Sequence, residues 1–568
     1  MLPGWAGSSV EAKQLWDSIH NQTECGGICD GCGPGGLRRG PGCHRGGGVT
    51  RRVVTEMLGW GALGTAGMML VAVAAGSWPG DTVRLGPGLP DAVTVTGSSV
   101  MTGVVFAGGL ALTIAAWFGI VGAAGRQDPD DVASGGTVVP GGVSLAIVVA
   151  VLGAWALPML LSDPVLSRDA YSYVAQGAVS SRGLDPTEVG PSALGSGPLL
   201  EAVDPTWRDA PAPYGPVAIG LQEAVVEAAD QAPDTSVALM RLLSIVGVAM
   251  TVVGVVIIAR QHQVSPALAV AAAVASPLVV IYLIGGSHND AVMMGLLTLG
   301  MAALGAERRV LALAVVIAAT AVKLPAAVGL VFIGWNWMGG RDVPVRSRII
   351  GVAAVGAVAL GSLVLLSRAV GIGFGWLTAL SDTGSNDSTF SVTTKIGLVV
   401  GELAGGVGLG VDPSVFVTGF RAVGLVCAAA VAVVLLVNSD RIGVVRAVGI
   451  TMVVAVVLGP VVFPWYLPAG LVLIAATGLG RWQPTYLVFV AAASALVWPA
   501  SMNPGARPVG LVVYFAELAV IVAVAVLCVG AAGVGPNRSW RLWGGEVTDR
   551  RAVVGVGGDG DVSGASEP

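Results

Sequence analysis

Charge is scarce in this chain. Asp, Glu, Lys and Arg make up 11% of its 568 residues, while 54% are apolar. Soluble globular chains carry roughly 25% charged residues. Less than half that share leaves too little polar surface for a soluble body of this length. Lipid must then be the solvent for much of the surface. Apolar and polar residues do not alternate, which excludes a membrane-spanning β-barrel. The apolar segments are instead long and continuous, so the fold expected is an all-α polytopic membrane protein. The first 50 residues lack the apolar run of a cleavable signal peptide. No clear internal repeat is visible, which argues against a transporter or flippase built from paired halves.

Cysteine is also sparse, with six in all. Cys427 and Cys528 lie in apolar runs, where a thiol acts as a small hydrophobe. Cys25, Cys29, Cys32 and Cys43 cluster near the N-terminus, beside His44. Their spacing is compatible with a metal or iron–sulfur site, but no soluble barrel for cluster chemistry follows. The reading adopted for residues 1–50 is a disordered, Gly/Cys-rich cytoplasmic extension. No metal or other cofactor is expected.

What the chain does have is apolar runs near the ~20 residues a span needs. They include Val53–Ala75, Met101–Ala124, Val143–Leu161, Ser236–Ala259, Ala267–Ile284, Ala291–Gly305, Val310–Val322, Ala326–Met338, Ile349–Leu366, Val415–Val437, Ala447–Val462 and Val509–Val534. The segment Ile396–Val411 is weakly apolar and reads as re-entrant or surface-lying. The expectation is a multispanning domain over 51–535 with about 12–14 transmembrane helices, and a disordered cytoplasmic tail over 536–568.

Residues 162–235 interrupt this pattern with a long acidic segment that includes Asp163, Asp169, Asp185, Glu188 and Asp204. Arginines mark the opposite side: Arg51, Arg52, Arg260, Arg308, Arg309, Arg341, Arg346, Arg441 and Arg446. The positive-inside bias puts these, and both termini, in the cytoplasm. It puts the 162–235 loop, His288, Lys323 and Phe463–Leu467 outside a plasma membrane. Chemistry in that loop is cut off from cytosolic nucleotides.

Sugar transfer outside the membrane needs a lipid-linked donor, a carboxylate to deprotonate the incoming hydroxyl, and a positive group for the leaving phosphate. Asp169, just past the third span, is the candidate catalytic base; the competing reading is a helix N-cap. Tyr171 and Tyr173 beside it, and Tyr214 at the end of the loop, are candidate substrate contacts. Lys323, between short apolar segments, is a candidate phosphate ligand, or else snorkels to the headgroups. Arg241 is a weaker case of the same kind. His288, Asn289 and Asp290 are candidates to bond sugar hydroxyls, or cap the following helix. Trp465 and Tyr466 are candidate stacking residues, or belong to an interfacial belt.

The motifs SRDAYSYVAQG at 167–177, GLDP at 183–186, YGP at 214–216, GGSHNDAVM at 285–293, VKLPAAV at 322–328 and FPWYLPAG at 463–470 follow one another through most of 55–535. Together they resemble the polyprenol-phosphomannose-dependent α-1,6-mannosyltransferases, of the large multispanning GT-C class. The resemblance implies a GT-C-like bundle whose first large extracytoplasmic loop is catalytic. It implies an inverting hexosyltransferase that moves mannose from polyprenyl-phosphomannose to a growing α-1,6-mannan, the backbone of lipomannan and lipoarabinomannan. The functional carboxylate would be Asp169. No metal is required across the class, and no nucleic-acid partner is expected. One departure is Thr187, where the family tends to have Tyr after the Asp-Pro of the loop. Another GT-C enzyme, an arabinosyl or protein-mannosyl transferase, would share the same loop logic.

Overall fold

A computed structural model describes residues 46–76, 99–125, 141–339, 342–385, 391–408 and 410–496. The cysteine cluster, the expected span at 509–534 and the tail lie outside the described residues. The main helices are α1 (Gly46–Gly76), α2 (Ser99–Gly125), α3 (Gly141–Leu161), α4 (Asp169–Ser181), α5 (Pro216–Ala228), α6 (Pro233–Gln261), α7 (Pro266–Ala273), α8 (Asp290–Gly305) and α9 (Arg309–Val322). After them come α10 (Ala327–Trp335), α11 (Val345–Val370), α12 (Gly375–Ser385), α13 (Val392–Gly406), α14 (Pro413–Val437), α15 (Val444–Val457), α16 (Pro468–Ala476) and α17 (Gln483–Ser494). No strand occurs among the described residues.

Six of these helices are long and apolar enough to cross a membrane: those holding 53–75, 103–125, 144–161, 233–261, 345–370 and 413–437. Their hydrophobicity is not confined to one stripe. Leu242, Val246 and Val253 on α6, and Val358, Leu360 and Leu365 on α11, are exposed. Bare apolar faces of that kind suit hydrocarbon rather than water. Shorter apolar helices, α8 and α9 among them, pack between the long ones around a continuous core.

The run 267–284 is not the single span its composition suggests. Pro277 supplies no N–H, and the chain breaks after α7 before forming a π-helical turn over Val279–Gly285. That turn is wholly buried and delivers the chain to Ser287 and His288. Within the segment expected to be re-entrant or surface-lying, residues 396–406 lie on α13, which forms a helical hairpin with α14. A Cβ on Gly397 would sit 2.5 Å from Val417 Cα, and one on Gly401 would sit 2.9 Å from Pro413 Cα. Rising numbers on α13 thus meet falling numbers on α14, so the helices run antiparallel. The 371–395 stretch contains α12.

The 162–235 loop is itself folded onto the bundle. Helix α4 crosses α5 so closely that a Cβ on Gly177 would lie 2.4 Å from the Gln222 carbonyl oxygen. Gly215, before the Pro216 that opens α5, donates its N–H to the Val322 carbonyl at 3.2 Å. A side chain there would strike the Ala321 carbonyl. Asp185 of the GLDP motif accepts from the Thr187 backbone and hydroxyl at 2.8 and 2.7 Å, and from the Gly373 N–H at 2.6 Å. That carboxylate ties the loop to the α11–α12 connection, and Thr187 is buried within the tie.

These close approaches predict that Gly177→Val forces α4 off α5. The expected cost is about 1–3 kcal/mol, seen as a lower midpoint of thermal unfolding in detergent by tryptophan fluorescence. An unchanged midpoint would contradict the packing.

Candidate active site

Asp169 is the first residue of α4. Its backbone N–H donates to the Ser167 hydroxyl at 3.1 Å, and the N-cap position belongs to Arg168. It lines a cavity of about 240 Å³ between the loop and the bundle. Asp169, Ser172, Tyr173 and Gln176 all line it. Their spacing of i, i+3, i+4 and i+7 puts them on one face of α4. Asp169 lies outside the spanning segments. The surrounding protein shields it from water and raises its pKa to about 6, against the lowering pull of the Ser167 hydroxyl and the Lys323 charge.

The bundle side of the cavity carries Lys323. Helix α9 stops at Val322, and Lys323 adopts an extended conformation (φ −154°, ψ 131°) before the turn that contains Pro325. Its Nζ donates to both carboxylate oxygens of Asp290, at 2.9 and 2.7 Å. The ammonium also lies 4.4 Å from the Tyr466 ring centroid and 5.6 Å from that of Tyr214. Lys323 is only 6% exposed. It therefore does not snorkel to the headgroups; it is a buried, paired cation at the edge of the cavity.

His288 joins the two sides. Its Nδ1 lies 3.2 Å from the Tyr173 hydroxyl and 3.7 Å from Asp169 Oδ2. Its ring stacks on Trp465 at 4.1 Å, and Trp465 stacks on Phe463 at 4.6 Å. Tyr173 meets Tyr214 edge-on at 5.3 Å. Cavity-lining side chains thus come from α4, from the turn before α5, from the break after α9 and from the aromatic segment before α16.

Some expected site residues lie elsewhere. Arg241 does not line the cavity; it donates to the Ser162 and Leu160 carbonyls at 2.5 and 3.2 Å, and to the Ser287 hydroxyl at 3.1 Å. It clamps the start of the loop to the turn before His288, where Ser287 has a φ of 55°. Tyr171 points away from the Asp169 face and sits under Arg168 at 5.8 Å. Asn289 faces a separate cavity of about 10 Å³ shared with Gln222. Trp465 packs into the stack rather than lining the site. Asp290 acts through Lys323. Ser172, Gln176, Trp207 and Phe463 line the cavity and were not singled out from sequence. The helical period counted from Asp169 would have found the first two.

A carboxylate held near a buried cation, in a cavity walled by tyrosines, suits proton removal from a hydroxyl coupled to departure of an anion. Among the described residues no group of His, Cys, Asp and Glu is placed to hold a metal ion. Residues 58–339 match the family model "Alpha-(1->6)-mannopyranosyltransferase, N-terminal domain", and 393–530 match "MptB C-terminal domain". Alpha-(1->6)-mannopyranosyltransferase A of Mycobacterium tuberculosis is 31% identical over 377 residues, covering 65% of this chain and 69% of the relative. The chain belongs to the alpha-(1->6)-mannopyranosyltransferase family.

Alpha-(1->6)-mannopyranosyltransferase B of Corynebacterium glutamicum is 31% identical over 348 residues, or 57% of this chain and 58% of the relative, less than two thirds of its length. The Corynebacterium glutamicum alpha-(1->6)-mannopyranosyltransferase A is 29% identical over 378 residues. No solved structure matches the chain. Asp169, His288, Asp290 and Lys323 fall within the N-terminal match of the mannopyranosyltransferase family, and Phe463 and Tyr466 within the C-terminal match.

The raised pKa fixes a pH dependence. Above about 6 the Asp169 carboxyl is ionised and ready to accept a proton; below it the acid form holds one and the base is lost. The kcat/KM of a reaction using this base should rise with pH through a midpoint near 6, then level off. A midpoint near 4, in the ordinary carboxylate range, would contradict the shielding.

Proposed function

We propose that this chain transfers mannose from polyprenyl-phosphomannose to the end of a growing α-1,6-mannan, with inversion, on the outer side of the plasma membrane. The observation that carries the reading is the single cavity holding both Asp169 and Lys323, where the 162–235 loop meets the apolar helices. A polyprenyl chain stays in lipid while its phosphate and sugar reach such a site.

The steps follow from that arrangement. Asp169 takes the proton of the acceptor hydroxyl. The freed oxygen attacks the anomeric carbon of mannose from the side opposite the phosphate. The bond from that carbon to the phosphate oxygen breaks, and a β-linked donor gives an α-linked product. The departing phosphate gains negative charge, which the Lys323 ammonium opposes. Asp290 holds Lys323 in place through two hydrogen bonds. Tyr173 and Tyr214 supply ring surfaces and hydroxyls for the sugars. The outer location is supported by the arginines of the opposite ends: Arg260 closes α6, and Arg308 and Arg309 join α8 to α9.

The test is transfer of labelled mannose from polyprenyl-phosphomannose to a short α-1,6-mannan, in membranes containing the protein. The wild type should transfer. Asp169→Asn, at equal abundance, should lose about 100- to 10,000-fold in kcat, the usual contribution of a general base. A fully active variant would remove Asp169 from the role of base. An inserted wild-type protein that ignores this donor but uses another lipid-linked sugar would overturn the donor.

A further inference from the structure

Resting on that reading, we infer that Ser172 and Gln176 form a subsite that reads the hydroxyls of the acceptor hexose. Both side chains line the cavity. Ser172 is 4% exposed and Gln176 is 5% exposed. Yet the Ser172 hydroxyl and the Gln176 Oε1 have no hydrogen-bond partner. A buried polar atom left unpaired costs about 1–3 kcal/mol, so side chains that line a cavity while keeping such an atom mark where a ligand's own donors and acceptors belong. A helical serine ordinarily satisfies itself by bonding back to the preceding turn. Thr298 and Thr320 do so elsewhere in this chain, and Ser172 does not.

Position assigns the subsite to the acceptor rather than the donor. The attacking hydroxyl must sit at Asp169, and the donor phosphate belongs near Lys323. Ser172 and Gln176 continue from Asp169 along one face of α4, about 5 and 10 Å further along its axis. That reach matches the body of a hexose whose exocyclic 6-hydroxyl lies at the base. A serine hydroxyl and an amide, both uncharged, suit neutral sugar hydroxyls and not a phosphate. Trp207, which also lines the cavity, offers a ring face of the kind pyranosides stack on.

The experiment measures KM for each substrate separately, with polyprenyl-phosphomannose as donor and an α-1,6-mannobioside as acceptor. The proteins are wild type, Ser172→Ala and Gln176→Met. The acceptor KM should rise about tenfold or more in Gln176→Met, with the donor KM unchanged. Monodeoxy analogues of the acceptor separate recognition from packing. The wild type should discriminate at least about tenfold against one of them, and Gln176→Met should lose that discrimination. Unchanged acceptor KM in both variants would overturn the subsite, as would a rise confined to the donor KM. Retained discrimination against every deoxy analogue would reduce the residues to packing. A wild type that transfers no mannose would instead overturn the parent reading; transfer with unaltered variants overturns this inference alone. Ser172→Ala removes a single oxygen, so the test stands even if the larger change disturbs folding.

Discussion

The ion pair between Lys323 and Asp290 is the constraint on which the site depends. Both side chains are almost fully buried, 6% and 3% exposed. Taking an ammonium and a carboxylate out of water costs several kcal/mol for each ion. Two short bonds between them, with tyrosine rings beside the ammonium, offset that cost. Removing one partner would strand the other charge, at about 3–5 kcal/mol. The surrounding backbone follows from keeping the pair together. Helix α8 must begin at Asp290, α9 must end before Lys323, and Gly215 must be a glycine so that Tyr214 can come down on the same spot.

The carboxylate proposed as the base stands apart from this pair and is governed differently. Asp169 has no cation of its own, and shielding raises its pKa to about 6. Lys323 acts on it from a distance and lowers its pKa, while the Asp290 charge works the other way. The result is one carboxylate spent on holding a cation and another left basic enough to accept a proton. His288 sits between Asp169 and Tyr173, fixed by its stack on Trp465. It holds the tyrosine hydroxyl close to the Asp169 carboxylate.

Much of the fold was legible because it follows from local composition. Runs such as 53–75, 144–161 and 413–437 are continuous enough to be helices in lipid whatever their neighbours do. The run 267–284 misled because apolar composition continues across Pro277, where hydrogen bonding does not. The weak apolarity of 396–406 reflects glycines, Gly397 and Gly401, that serve close packing on α14. In the site, Lys323 stood out as a charge where charge is expensive, but its partner lies 33 positions away. No local rule joins them. Arg241 looked from sequence like a weaker case of the same kind as Lys323. It differs because the loop entry folds back to offer it carbonyl oxygens. The family-like motifs were found as strings, and their physical roles proved mixed. Asp185 is a structural tie, whereas Asp169 is exposed to the cavity.

The central claim is that Lys323, held by Asp290, receives the departing phosphate. The most direct measurement is the affinity of purified protein for the bare leaving group, a polyprenyl monophosphate, in detergent. Wild type and Asp169→Asn should bind it alike, since the base does not touch it. Lys323→Met should bind at least about tenfold more weakly, the loss expected when a charge-assisted contact of 1.5–3 kcal/mol is removed. Equal binding by Lys323→Met, in protein that remains folded, would show that the cation serves the structure alone and that the phosphate leaves by another route.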